Sequence, residues 1–279
     1  MRQGATDDPA ADAGHSPAAT PTTTSPAGSL PRRVVVTVSF LVCLVGSMIG
    51  VGVFGGTPIS EAAGGLLSTD ATHLAPASPA FSVWTVIYIA LGAYTIWQWW
   101  DRSDPRRLGW LIVASLLLNA AWILSVQAGW VWGSVVVIVV LLAVLAAAFR
   151  QLLTAPPRTW IEAAVVDGTV GLYLGWVSVA TCANIAAALA GSGVTGGGYP
   201  QVWAVVVLVV VAIIGVALAV VSKGRLAVAA TLVWGLAWIA VARTDEPASL
   251  LTVIAAATAA GVVALTTVVL RVRAQAGGT

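Results

Sequence analysis

Charge is what this sequence has least of. Asp, Glu, Lys and Arg make up 9% of its 279 residues, against 59% hydrophobic residues. So little charge cannot cover a soluble domain of this length, which excludes a water-soluble globular protein and leaves lipid as the solvent for most of the surface. Lysine is scarcer still, since of thirteen basic residues only Lys223 is lysine. The basic residues are scattered in short segments and the net charge is only +2, which excludes a nucleic-acid partner. Cysteine is limited to Cys43 and Cys182, both inside apolar runs. That excludes a disulfide framework or a cysteine metal site, and both read as small buried hydrophobes. Abundant Ala, Val and Gly, with Arg in place of Lys, point to a GC-rich bacterial genome and so to a bacterial cytoplasmic membrane.

What is present is a series of long apolar runs. Spanning the hydrocarbon core takes about 20 helical residues at roughly 1.5 Å each. By that ruler the spans are Val34–Phe54, Phe81–Trp100, Leu108–Val126, Val131–Phe149, Val170–Ala190, Val202–Val221, Leu226–Ala242 and Ser249–Leu270. The fold class expected is an all-α membrane protein of about eight transmembrane helices. Residues 1–30, rich in Ala, Pro, Thr, Asp and Gly, read as a disordered cytoplasmic tail, and residues 271–279 as a second one. Arg32 and Arg33 before the first run also fit a twin-arginine signal, but no A-x-A site follows, so the run reads as an uncleaved helix. Ser78-Pro79, Tyr199-Pro200 and Glu246-Pro247 place proline where helices start.

Orientation follows from the arginines. With the N-terminus inside, Arg243 is the one external basic residue of the thirteen. Both termini are then cytoplasmic. The longest external loop, Gly55 to Pro79, has no basic residue and contains Glu61, Asp70 and His73. Ionisable residues are nearly absent from the spans, which argues against a proton-coupled pump. Glu162 and Asp167 read as solvated charges flanking the fifth span.

The spans do carry tryptophan. An interfacial aromatic belt accounts for Trp99, Trp100, Trp110, Trp130, Trp132, Trp160 and Trp203. It does not account for Trp84, Trp122 and Trp176. Phe81, Trp84, Tyr88, Gly92 and Thr95 recur at spacings of three and four, so they share one helix face. Ser115, Asn119, Trp122 and Val126 form a second stripe, and Tyr173, Trp176, Ala180 and Asn184, with Thr181 beside them, a third. Asn119 and Asn184 need partners in hydrocarbon, so the stripes are expected to face one another. They serve either as helix-packing contacts or as the wall of an apolar, aromatic-lined ligand pocket.

The run from Leu74 to Gly92, Leu-Ala-Pro-Ala-Ser-Pro-Ala-Phe-Ser-Val-Trp-Thr-Val-Ile-Tyr-Ile-Ala-Leu-Gly, resembles the second-helix signature of the TspO/MBR family. These are the tryptophan-rich sensory proteins related to the mitochondrial translocator protein, or peripheral benzodiazepine receptor. Leu118-Asn119-Ala-Ala-Trp122-Ile-Leu124 is similar to the third-helix motif. Tyr173-Leu-Gly-Trp176-Val-Ser-Val-Ala-Thr181-Cys-Ala-Asn184 is similar to the fifth. The resemblance covers residues 34–190 and is nearest to a longer bacterial branch. It implies a five-helix core at 34–190 and a three-helix C-terminal extension at 202–270.

It also implies binding of a hydrophobic small molecule, with porphyrins and sterols among the usual candidates, a sensory or transport role, and homodimers. The site would lie between spans two, three and five. Phe81, Trp84, Tyr88, Trp122, Tyr173 and Trp176 would supply aromatic surface, and Asn119, Thr181 and Asn184 would orient the ligand. No resident cofactor or metal is expected, a porphyrin entering only as ligand, and lipid is the remaining partner. Residues 55–79 lack the aromatics of members proposed to break porphyrin down, so the resemblance implies binding rather than that chemistry. A membrane enzyme acting on a lipid or isoprenoid is the alternative, but the clustered carboxylates, histidines or metal motif it needs are missing. A structural membrane subunit without ligand is the third reading.

Overall fold

A computed structural model describes residue 1 and residues 30–50, 52–53, 57–59, 61–194 and 196–277. The N-terminal tail expected over residues 1–30 therefore lies almost wholly outside the described residues, as do Phe54 and Gly55. The described residues form eight helices and no strand. They are α1 Leu30–Gly50, α2 Val83–Trp100, α3 Gly109–Gln127, α4 Val131–Leu152, α5 Trp160–Gly191, α6 Pro200–Val221, α7 Leu226–Ala242 and α8 Leu250–Ala276. All but α7 are long and apolar enough to cross a membrane, and α7, at 17 residues, is a shorter apolar helix. At about 1.5 Å per residue α7 sits at the short end of the spanning range. The chain is a multi-pass membrane protein.

Several expected edges shift for identifiable reasons. Chain entry into α2 is a 3₁₀ turn, Ser78–Ser82, with Pro79 in its first positions, so Phe81 precedes the α-helix proper. α5 begins ten residues before Val170, because Thr159 caps it by accepting from the Glu162 N–H at 3.1 Å. Its first turns include a π segment, Ala163–Gly168. α8 starts at Leu250, capped by Ser249, rather than at Pro247. It runs on to Ala276, so residues 271–276 are helical, not tail.

Two buried clusters organise the bundle. One joins α1–α5 and includes the buried Leu91, Leu116, Leu145 and Tyr173. The other joins α6, α7 and α8 to Val179 of α5, through Leu208, Leu232, Leu236 and Ala256. α5 is the shared element. Its contact with α7 depends on Gly175, where a Cβ would overlap the Val228 carbonyl and the Thr231 hydroxyl. Close approach then lets Thr231 Oγ1 donate to Leu172 O at 2.7 Å, a small-residue contact suited to lipid, where packing rather than water drives association.

The two ends of the bundle differ in chemistry. At one end Arg106 pairs with Glu162 at 2.9 Å and with Asp167 at 2.6 Å. Arg158 pairs with Glu162 at 2.9 Å and with Asp101, Arg225 with Asp167, and Arg32 with Asp104. Glu162 and Asp167 are therefore not solvated flanking charges: Glu162 is 2% exposed, and both are enclosed by arginines from neighbouring segments. Buried carboxylates persist in such a place only when paired and hydrogen-bonded. The opposite end carries the loop 57–77, the short α3–α4 connection and the loops after α5 and α7. Gln127 Nε2 donates to Thr57 O at 2.6 Å and Trp132 Nε1 to Ser192 Oγ at 2.9 Å there.

Candidate functional site

The three polar and aromatic stripes converge, as helical spacing requires of faces that cannot be left in lipid. Asn119 and Asn184 are both buried. Asn119 Nδ2 donates to Tyr88 Oη at 3.0 Å and to Cys43 Sγ at 3.3 Å. Asn184 Oδ1 accepts from Trp122 Nε1 at 2.7 Å, and its Nδ2 donates to Ser134 Oγ at 3.0 Å. Each amide thus bridges helices distant in sequence, α3 to α1 and α2 in one case, and α5 to α3 and α4 in the other.

The rings form one connected group. Trp84 stacks on Tyr88 at 5.5 Å and meets Tyr173 and Trp176 edge-on at 5.9 and 6.2 Å. Phe81 meets Trp176 edge-on at 5.8 Å. Edge-to-face and offset pairs at these separations add roughly 0.5–1.5 kcal/mol each beyond area burial. By contrast every tryptophan assigned to the interfacial belt is exposed, from Trp99 at 40% to Trp160 at 79%, whereas Trp122 and Trp176 are 6% and 1% exposed.

Beside this group lies a cleft between α2, α3 and α5. Of the nine residues expected at the site, Phe81, Trp84, Trp122, Trp176 and Asn184 line it. Tyr88, Asn119, Tyr173 and Thr181 do not. Tyr88 and Asn119 bond one another, Tyr173 donates to Ser115 O at 3.4 Å, and Thr181 donates to Val177 O one turn back at 2.7 Å. These four hold the wall from behind.

The rest of the lining comes from residues that pattern reading passed over. Ile59, Leu66, Leu67, Thr72, Ala75 and Pro76, all from the segment 57–77, close the cleft as a lid, and Ala180 and Ala183 complete the α5 wall. A signal for the lid was present: the adjacent leucines 66 and 67 in a segment read as an external loop have no reason to face water. No residue of the lining carries a charge or titrates near neutrality. Among the described residues, two lining groups, Trp176 Nε1 and Thr72 Oγ1, are buried without a hydrogen-bond partner. The closed cleft offers about 40 Å³ to water-sized molecules. That is room for a few waters, far below the several hundred Å³ a tetrapyrrole or sterol needs.

Among the described residues no group of three or more His, Cys, Asp or Glu side chains is arranged to hold a metal ion. His73, in the lid, is half-buried. Burial first, and then the positive charge of Arg243, push its imidazole below the ordinary value of 6.5.

No curated protein and no solved structure matches the chain. A family model described as TSPO-like protein does, over residues 33–270. It runs from the first turn of α1 into α8, past the residues 34–190 that carry the motifs, and so takes in cleft, lid and the last three helices together. The chain belongs to the TSPO-like protein family.

Proposed function

We propose that this membrane protein binds a flat, uncharged, hydrophobic small molecule in the cleft between α2, α3 and α5, as a sensor or transporter. One observation carries the reading: the cleft is walled by Phe81, Trp84, Trp122 and Trp176, has no charged lining, and leaves the Trp176 indole N–H without a partner among the described residues. Affinity then comes from stacking and apolar burial, and the indole donates to a carbonyl or hydroxyl oxygen of the ligand. The uncharged lining favours sterol-like or other neutral ligands. A porphyrin would have to keep its carboxylates outside, because a buried carboxylate without a partner is costly. Any ligand of that size enters with displacement of the lid, since the closed cleft is too small.

The same lining favours binding over catalysis, for it holds no acid, base or nucleophile. Lipid and the ligand are its partners in this reading. The ion-paired end, which gathers the short basic segments, is taken as cytoplasmic by the positive-inside rule, in a bacterial cytoplasmic membrane. The test is a tryptophan-fluorescence titration of the purified protein with a neutral sterol and with protoporphyrin. Saturable quenching by the sterol at lower concentration than by the porphyrin is the expected result. No saturable response to either ligand refutes the reading and leaves the stripes as packing alone.

A further inference from the structure

We infer that the three C-terminal helices latch the lid, so that the packing of α7 sets access to the cleft; this rests on the ligand-binding reading for its purpose but not for its test. The lid has two faces. Leu66, Leu67, Thr72, Ala75 and Pro76 cover the cleft. Leu74, between them in sequence, belongs to the other core: it is 6% exposed and buried in one cluster with Leu208, Leu232, Leu236 and Ile239 of α6 and α7. The lid is therefore plugged into the C-terminal helices by a leucine, on the side away from the site it closes.

Hydrogen bonds repeat the arrangement. Arg243, at the end of α7 and 1% exposed, donates to Thr69 O in the lid and to Pro247 O at 3.3 Å. The Ala77 N–H donates to Trp238 O at 3.1 Å, and Trp234 Nε1 to Ala80 O at 2.9 Å. The segment is thus held to α7 at positions 69, 74, 77 and 80. Its beginning is held elsewhere: Thr57 O accepts from Gln127 of α3, and the Ile59 N–H donates to Gly50 O at 3.1 Å. Between the two anchorages Gly64 and Gly65 sit at φ +70° and +78°, with nothing within 4 Å of where a Cβ would be. That is a backbone region glycine enters without strain, in open space, and it makes a hinge between a fixed stem and a latched cover.

Arg243 also explains why the latch can release. Its buried guanidinium donates to neutral carbonyls; among the described residues no carboxylate lies within ion-pair distance, the charge of Asp70 acting on it only from farther off, and its Nε has no hydrogen-bond partner. Opening the lid returns that charge to water, which offsets part of the cost of unplugging Leu74.

The test needs no ligand. A cysteine at the cleft-lining Ala183 (A183C) is labelled with a membrane-impermeant maleimide, the parent chain correcting for Cys43 and Cys182. Leu74→Ala is expected to accelerate labelling of A183C roughly tenfold or more, the effect of a buried-leucine truncation falling on the opening equilibrium. Arg243→Gln, which replaces the charged donor to Thr69 O, is expected to accelerate it as well, and stands in if Leu74→Ala does not fold. Leu145→Ala removes an equally buried leucine near the far end of α4 and is expected to leave the rate unchanged. An unaltered rate in both latch variants, or the same acceleration in Leu145→Ala, overturns the latch. Failure here leaves ligand binding standing, and a failed ligand titration leaves the latch standing.

Discussion

Trp122 on α3 donates its indole N–H to Asn184 on α5 at 2.7 Å, and the same asparagine donates to Ser134 on α4 at 3.0 Å. One amide therefore ties three helices together beside the cleft. In hydrocarbon no water competes for these groups, so each must find its partner within the protein. The bond also fixes the plane of an indole that lines the cleft, so packing and site geometry share a cause.

Asn184→Leu is accordingly expected to destabilise the bundle by roughly 1–3 kcal/mol, because it strands a buried indole N–H. Thermal unfolding in detergent measures this. The double variant with Trp122→Phe should lose less than the sum of the two single losses, since each removes the same bond. Additive losses would mean that the bond contributes nothing.

The architecture was legible where physics leaves one solution. Apolar runs of spanning length can only be helices, and two asparagines in such runs must face protein, as Asn119 and Asn184 do. Helical spacing brought Phe81, Trp84, Trp122, Trp176 and Asn184 to one cleft. Spacing cannot separate a wall from its backing, so Tyr88, Asn119, Tyr173 and Thr181 were grouped with them. Leu66 and Leu67 mark the lid as a covered segment, but where it docks is not legible: it is irregular chain, without period, and its placement depends on Leu74 reaching a core built from helices more than a hundred residues later. The enclosure of Glu162 and Asp167 is hidden for a similar reason: only Arg158 lies nearby in sequence, and the other arginines, Arg106 and Arg225, come from two distant segments.

Loss of ring surface should separate site from belt. Trp84→Ala or Trp122→Ala is expected to weaken binding of a planar neutral ligand by about 1–3 kcal/mol, the scale for burying a large apolar side chain. Trp99→Ala should leave affinity nearly unchanged. Trp99 lies at the ion-paired end, where it bonds Thr37 at 3.2 Å and lies 5.2 Å from the Arg33 guanidinium. Equal losses in all three, read by ligand titration, would indicate general destabilisation.

The ion-paired end makes a separate prediction about stability. Arg106→Gln leaves Glu162 and Asp167 with one arginine each, Arg158 and Arg225. Removing one partner of a buried pair costs about 3–5 kcal/mol where no other remains, so a loss of about 2–4 kcal/mol is expected here. Arg102→Gln, at an exposed neighbour, should change stability by less than about 0.5 kcal/mol. Chemical unfolding in detergent compares them, and equal stability of the two variants would reduce the network to surface charge.

His73 gives the lid a pH dependence whose sign can be worked out. Its imidazole is held below 6.5, first by burial and then by Arg243. Between the lowered value and about 6.5 the folded chain binds fewer protons at this residue than the unfolded chain does. Stability from neutral His73 is then fully present above about 6.5 and is lost as pH falls through the lowered value. Asp70, the nearest acid in the lid, does not obscure this. The Ser68 hydroxyl chiefly holds its carboxyl below 3.8, so it stays ionised throughout the window. His73→Asn keeps a polar side chain of similar reach and removes the titration. Melting temperatures measured from pH 7.5 down to 5 should fall for the parent chain and stay flatter for His73→Asn. The ratio of A183C labelling with His73 present to that with His73→Asn, taken at each pH so that the fall in reactive thiolate cancels, should rise over the same interval, because a charged imidazole beside Arg243 works against the closed lid. Parallel melting curves, or a parent chain that gains stability on acidification, would remove His73 from the lid's energetics.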